Sequence, residues 1–143
     1  MSDRYVVGFD GTDQSRRAVD FAAAKAKSAG AQIHLVKVIE WSPYSFHTAE
    51  ELAERHGRRE KELNRAAKIF ESTLDALKAG GIQVSCEARH GNAAEILCKI
   101  AEEKNADQIV IGRTGDSAFA QRLLGGLAIT LAQVAPLPLT IVP

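Results

Sequence analysis

Apolar positions along the chain follow two different periods. Tyr5-Val6-Val7-Gly8-Phe9 is a short apolar run closed by Asp10-Gly11-Thr12, the pattern of a strand that ends in a turn, with Thr12 placed to cap a helix. Val19, Ala22, Ala23 and Ala26 then recur at i, i+3, i+4 and i+7, which predicts one apolar helix face, and Gly30 stands where a C-cap glycine belongs. Ile33 to Ile39 reads as the second strand. After the loop Trp41-Ser42-Pro43-Tyr44-Ser45-Phe46, Thr48-Ala49-Glu50-Glu51 has the form of a capping box. The helix it opens runs toward Ala79, with Leu63, Ala66, Ala67, Phe70, Leu74 and Leu77 as its stripe. Its stretch from Arg55 to Glu62 is charged nearly all round and is interrupted by Gly57.

Gly80-Gly81 stops that helix, and Ile82 to Ala88 alternates apolar and polar residues as a half-exposed strand near a sheet edge does. Asn92 caps a further helix whose apolar face is Ala93, Ile96, Leu97, Ile100 and Ala101. Ile109-Val110-Ile111-Gly112 is apolar on both faces, as expected of a central parallel strand with helices above and below. Leu127, Thr130, Leu131 and Val134 mark a last short helix ended by Pro136. Leu137 to Val142 is the last strand, and Pro138 and Pro143 favour an edge position. The order βαβαβαβαβ calls for an α/β fold, a parallel sheet with helices on both faces and right-handed crossovers. Ligands bind such sheets at the carboxyl ends of the strands, where the strand order reverses. The loops after Phe9, Ile39 and Ile111 are therefore the places to search.

Composition narrows this picture. The 143 residues predict one domain, and 45 % hydrophobic residues are enough to fill its core. The 18 Lys and Arg balance the 18 Asp and Glu, which removes a general electrostatic case for nucleic acid. No signal-peptide pattern and no apolar run of membrane-spanning length is present, so the reading is a cytoplasmic protein with no membrane partner. Cys86 and Cys98 read as small buried residues, and with His90 they make no zinc pattern.

Candidate chemistry concentrates after the fourth strand. Gly112-Arg113-Thr114-Gly115 is followed by nine residues and then Gly125-Gly126 at a helix start. Two glycines three apart let the backbone approach a ribose or phosphate, and the free N–H groups of a helix N-terminus favour an anion. Arg113 and Arg122 are the local cations. From Gly112 onward the only other charged side chain is Asp116, so this region leans positive within a neutral chain. Asp10 has only Asp13 close in sequence, which favours capping or ribose bonding over a phosphoacceptor site. Trp41, Tyr44 and Phe46 offer rings that would cover a nucleotide or pack on the helices. His34 reads as a satisfied strand residue, and His90 beside Gly91 as a weaker crevice candidate. No Ser-His-Asp or Cys-His motif and no G-x-x-x-x-G-K-[ST] loop is visible.

Three segments together carry a resemblance. They are Val7 to Thr12 followed by Ser15 and Ala18; Ala106 to Gly112; and the G-x2-G-x9-G array followed by Ala135 to Val142. With them, the whole chain resembles the universal stress protein family. The resemblance implies a five-stranded parallel sheet in the order 3-2-1-4-5, Rossmann-like and of the adenine nucleotide alpha hydrolase kind. It also implies a homodimer and, in one branch, bound ATP, with or without Mg²⁺; ADP or AMP fit the same reading. The C-terminal strand is where two copies would pair, since Leu139-Thr140-Ile141-Val142 would otherwise be an exposed apolar edge. Carried over by position, Gly8, Phe9 and Asp10 would lie beside the base and ribose, and Val38 would offer backbone groups to adenine. Ile111, Gly112 and Gly115 would wrap the ribose and phosphates, with Gly125 and the N–H groups of Gly126 and Leu127 at the phosphate tail. Arg113 and Arg122, read from charge alone, are the cations that could screen the phosphates. The family's hydroxyls at the positions of Gly126 and Ala128 are absent here. The resulting expectation is a stress-response or signalling module that responds to nucleotide occupancy. A nucleotide-free dimerisation or adaptor module of the same fold is the alternative, with slow ATPase or autophosphorylating activity behind it.

Overall fold

A computed structural model describes residues 3–39, 67–113 and 126–143. Its strands are β1 (Arg4–Gly8), β2 (Gln32–Ile39), β3 (Val84–His90), β4 (Gln108–Gly112) and β5 (Leu139–Val142). Its helices are α1 (Asp13–Ala29), α2 (67–79), α3 (Ala93–Glu103) and α4 (Gly126–Val134). All four strand pairs are parallel, and the five strands stand in the order β3-β2-β1-β4-β5.

Alternation along the strands divides the core in two. Tyr5, Val7 and Phe9 of the first strand and its exit join Ile33, Leu35 and Val110 under α1 and α2. Val6, Val36, Ile109 and Ile111 face α3 and α4, meeting Leu97, Ile100 and Leu131. Burial on both faces is why β1 and β4 read as unbroken apolar runs. The helix ends follow the cap signatures. Thr12 accepts the Ser15 N–H at 3.2 Å, and Asn92 accepts that of Glu95 at 3.1 Å. α1 stops at Gly30, whose N–H bonds the Ala26 carbonyl.

Three expectations need correction. β3 is shifted two residues toward the C-terminus of the predicted Ile82–Ala88, because its ladder begins only where Val84 pairs with Ile33; Ile82 is buried in the preceding turn. The last strand begins at Leu139 rather than Leu137. The cysteines are not core residues: Cys86 is exposed on the edge strand β3, and Cys98 is half-buried. The Cys98 Sγ sits 4.0 Å from the Val134 carbonyl, and partial burial pushes its thiol pKa up.

A row of polar side chains ties β3 to its neighbours. His34 on β2 is 6 % exposed, with Nδ1 2.6 Å from Ser85 Oγ and Nε2 2.8 Å from Glu87 Oε1. Arg89 Nε donates to Glu87 Oε2 at 2.8 Å, and its Nη2 reaches Glu103 of α3 at 2.9 Å. Partial burial alone would raise the Glu87 carboxyl, but the hydrogen bonds from His34 and Arg89 outweigh it and hold the group below the usual carboxylate range.

The seat of α1 on the sheet is equally specific. A Cβ on Gly112 would lie 2.8 Å from the Gln14 carbonyl oxygen and 2.9 Å from its carbon, so only glycine lets the first turn of α1 rest against the end of β4. Gly126 is the opposite case, since a Cβ there would meet nothing within 4 Å.

Two outcomes follow. Gly112→Ala must displace helix backbone and should lower stability by about 1–3 kcal/mol in urea denaturation, whereas Gly126→Ala should be neutral or mildly stabilising. Glu87→Gln should cost about 1–2 kcal/mol at pH 7. Since the folded carboxyl titrates below the unfolded value of 4.5, the contribution is complete above that pH and is lost as pH falls through the folded value. Stability curves of wild type and Glu87→Gln should therefore converge as pH falls below 4.5; parallel curves would contradict the assignment.

Candidate functional site

In the order 3-2-1-4-5 the connections leave β1 in one direction and β4 in the other, so the switch point lies between these two strands. The carboxyl ends of β1, β2 and β4 bring together Gly8, Phe9, Asp10, Val38, Ile111, Gly112 and Arg113. Because α4 connects two parallel strands, it runs antiparallel to them and its N-terminus, at Gly126 and Leu127, also lies at this end. Gly115, Arg122 and Gly125 lie outside the described residues, as do the 41–46 loop, the capping box at Thr48, His47 and His56.

These residues contribute in different ways. The Phe9 ring is buried beneath α1 and α2, 6.1 Å from the Phe70 ring, so only its main chain reaches the crevice; its N–H bonds the Val36 carbonyl at 2.9 Å. Ile111 likewise turns its side chain inward and covers Gly8, where a Cβ would stand 3.3 Å from Ile111 Cγ2. Val38 lies two residues beyond Val36, the last β2 residue in register with β1. The Ile33 N–H goes to Gln83 of β3 and the Val36 carbonyl to Phe9, so even-numbered β2 residues direct their backbone polar groups toward β1. The Val38 carbonyl thus points past the end of that strand.

Asp10 is the exposed carboxylate of the site. Its Oδ1 accepts from the Thr12 N–H at 2.9 Å and the Thr12 hydroxyl at 2.5 Å, an Asx turn made possible by Gly11 at φ 86°. Among the described residues Oδ2 takes no partner. Asp10 thereby supports the cap indirectly, through Thr12, and keeps one oxygen for a hydroxyl donor. The Arg113 N–H donates to the Val142 carbonyl at 2.8 Å, which holds the exit of β4 beside β5. His90 stands exposed at the carboxyl end of β3, farther from the switch point.

Two neighbours were not singled out from the sequence. Gln14 presses its backbone on Gly112 and carries a buried Oε1 that finds no hydrogen-bond partner among the described residues. Lys37 occupies the α1–α2 face of β2 near its carboxyl end, and partial burial lowers its pKa. Strand parity places Lys37 on that face, but the depth of both groups depends on helix packing that local pattern does not carry. Among the described residues the arrangement offers main-chain donors and acceptors, one carboxylate and a helix N-terminus around an apolar floor. A separate groove of about 260 Å³ between α1 and α2, lined by Arg16, Asp20, Lys27 and Thr73, lies away from the strand ends. Among the described residues no helix is long and apolar enough to cross a membrane.

Comparison with known proteins adds to this geometry. A family model described as the universal stress protein family matches residues 1–143. Universal stress protein Rv1636 of Mycobacterium tuberculosis is 33 % identical over 141 residues, which cover 96 % of this chain and 93 % of the relative. UspA of Lactobacillus plantarum superposes with a TM-score of 0.83 at 18 % identity, covering 99 % and 97 % of the two chains. A universal stress protein in complex with cAMP gives 0.72 at 27 % identity, with 99 % and 97 % coverage. The Archaeoglobus fulgidus protein in complex with dAMP gives 0.60 at 19 %, with 100 % and 98 % coverage. The sequence matches span the same strands and helices that build the crevice: the chain belongs to the universal stress protein family.

Proposed function

We propose that the crevice at the switch point binds an adenine nucleotide and that the protein signals through occupancy of that site as a homodimer. The observation that carries this reading is the convergence of the Val38 carbonyl, the Asp10 Oδ2 and the N-terminus of α4 on one end of the sheet. An adenine amino group finds an acceptor in Val38, a ribose hydroxyl finds one in Asp10, and a phosphate finds the N–H groups of Gly126 and Leu127, unpaired among the described residues. Support comes from the family structures that hold cAMP and dAMP. Ala128 is 1 % exposed and packs in the core, so its lack of a hydroxyl matches its surroundings, whereas Gly126 looks onto open space. The missing phosphate hydroxyl is therefore the one at Gly126, and nucleotides with short phosphate tails suit this chain best.

Magnesium fits less well as a protein-held ion. One Asp10 oxygen is committed to Thr12, and among the described residues no three His, Cys, Asp or Glu side chains converge on a point. Mg²⁺ brought by ADP or ATP would be held mainly by phosphate oxygens.

The dimer reading rests on β5. Ile109 and Arg113 donate to the carbonyls of Pro138 and Val142, so the even-numbered β5 residues face β4 and the backbone groups of Leu139 and Ile141 face outward. Ile129 and Val134 of α4 are 46 % and 55 % exposed, giving an apolar surface on the helix beside that edge.

Acid extraction of the purified protein should release AMP, ADP or ATP, or calorimetry should give an affinity of millimolar or better. Gly126→Ser should tighten ATP binding about tenfold, the equivalent of one added hydrogen bond to a charged group. Neither retained nucleotide nor millimolar affinity would favour the nucleotide-free adaptor, and accumulation of ADP or phosphoprotein would favour an enzyme. Light scattering at micromolar concentration should give twice the chain mass. Ile141→Pro, which removes an outward N–H, should give the monomer; a wild-type monomer would refute the dimer.

A further inference from the structure

The Ser85-His34-Glu87 row lies outside the crevice. His34 is four residues before Val38 on the same strand, about 13 Å at the usual rise. We propose that Ser85 is an activated nucleophile, with His34 as its general base and Glu87 as the group that positions the base, and that it accepts acyl groups from small activated esters.

The geometry has the three required parts. Ser85 Oγ is 2.6 Å from His34 Nδ1, and His34 Nε2 is 2.8 Å from Glu87 Oε1. An ionised carboxylate only accepts, so Nε2 carries the proton of the neutral ring; Nδ1 then presents its lone pair to the serine hydroxyl. Arg89 occupies the other Glu87 oxygen and is itself tied to Glu103, so the carboxylate is fixed from both sides. His34 is 6 % exposed while Ser85 is exposed, which leaves the base sheltered and the nucleophile accessible. Strand register holds the pair, since His34 and Ser85 are direct partners between β2 and β3.

The residue after the nucleophile has an outward-directed backbone donor. The Ile33 N–H bonds the Gln83 carbonyl, so odd-numbered β3 residues face β2 and the N–H of Cys86, the residue after the nucleophile, points away from β2 at the edge of the sheet. In the reaction Ser85 Oγ attacks the ester carbonyl carbon and its proton passes to His34 Nδ1. The carbon–oxygen bond to the leaving alcohol breaks, and the alcohol takes that proton. Water then attacks the acyl-serine, giving its proton to His34, which returns it to Ser85 as the carboxylic acid leaves. The balance is ester plus water to acid plus alcohol. Because Ser85 stands on an exposed strand, little remote binding energy is available, and the preference is for small acyl groups on good leaving groups.

The test is labelling of the full chain with a fluorophosphonate probe, with peptide mapping of the site, alongside hydrolysis of p-nitrophenyl acetate. Ser85 should be labelled in the folded protein and not in urea. Ser85→Ala should remove both the label and the serine-dependent hydrolysis; because it also takes the partner from the buried His34 Nδ1, its urea midpoint should fall modestly while the protein stays folded. His34→Gln should slow labelling at least 100-fold, in the range of a lost general base. Glu87→Gln should slow it less, with partial rescue by Glu87→Asp and a loss of the Nε2-protonated imidazole signature in ¹⁵N spectra. In case His34→Gln unfolds, Ser85→Cys supplies a second arm: its thiol should react with iodoacetamide faster than Cys86 beside it. An unlabelled Ser85, equal labelling in urea, or a Ser85→Cys thiol no faster than Cys86 would overturn the proposal.

Discussion

The close approach of α1 to β4 at Gly112 is the constraint on which the rest of this structure depends. With the Gln14 carbonyl oxygen 2.8 Å from where a side chain would begin, the first turn of α1 crosses the end of β4 with no room for a side chain between them. That contact fixes the cap at Thr12, and Thr12 in turn holds Asp10 through two hydrogen bonds. The helix then covers Val7, Leu35 and Val110, closing one of the two cores. A single glycine thus couples the packing of the sheet to the position of the carboxylate at its carboxyl end.

The same economy explains why the crevice is made largely of backbone. Phe9, Ile111 and Leu127 occupy positions at the switch point, yet their side chains are drawn toward the two cores, because burying apolar surface outweighs leaving it at a polar rim. Among the described residues, what the crevice offers a ligand is main-chain N–H and C=O, one carboxylate oxygen, the Arg113 side chain and a helix N-terminus. Such a site discriminates by shape and hydrogen-bond pattern, and it tolerates wide sequence change around it.

Much of the architecture was legible in the sequence because it is written in local periods. The apolar runs at Tyr5 and Ile109, the Thr12 and Asn92 caps and the terminal glycine at Gly30 each became what their pattern implied. Edges were harder. Cys86 was expected in the core on residue type, but β3 terminates the sheet, and on its α1–α2 face Val84 is the residue that packs on that core. The Ser85-His34-Glu87 row was invisible because its members are 51 and 53 positions apart and meet only through strand register. At the crevice, position along the chain indicated which residues share the strand ends, but not that Phe9 turns inward or that Gly112 serves a helix contact as well as a loop.

Whether the switch point between β1 and β4 takes a nucleotide is decided by an amide-detected NMR titration of the protein with AMP. Saturable shifts are expected at Gly8, Asp10, Val38, Gly112 and Leu127, with the α1–α2 groove at Arg16, Lys27 and Thr73 unmoved. Shifts confined to that groove, or none anywhere at millimolar AMP, would contradict a nucleotide site at the switch point.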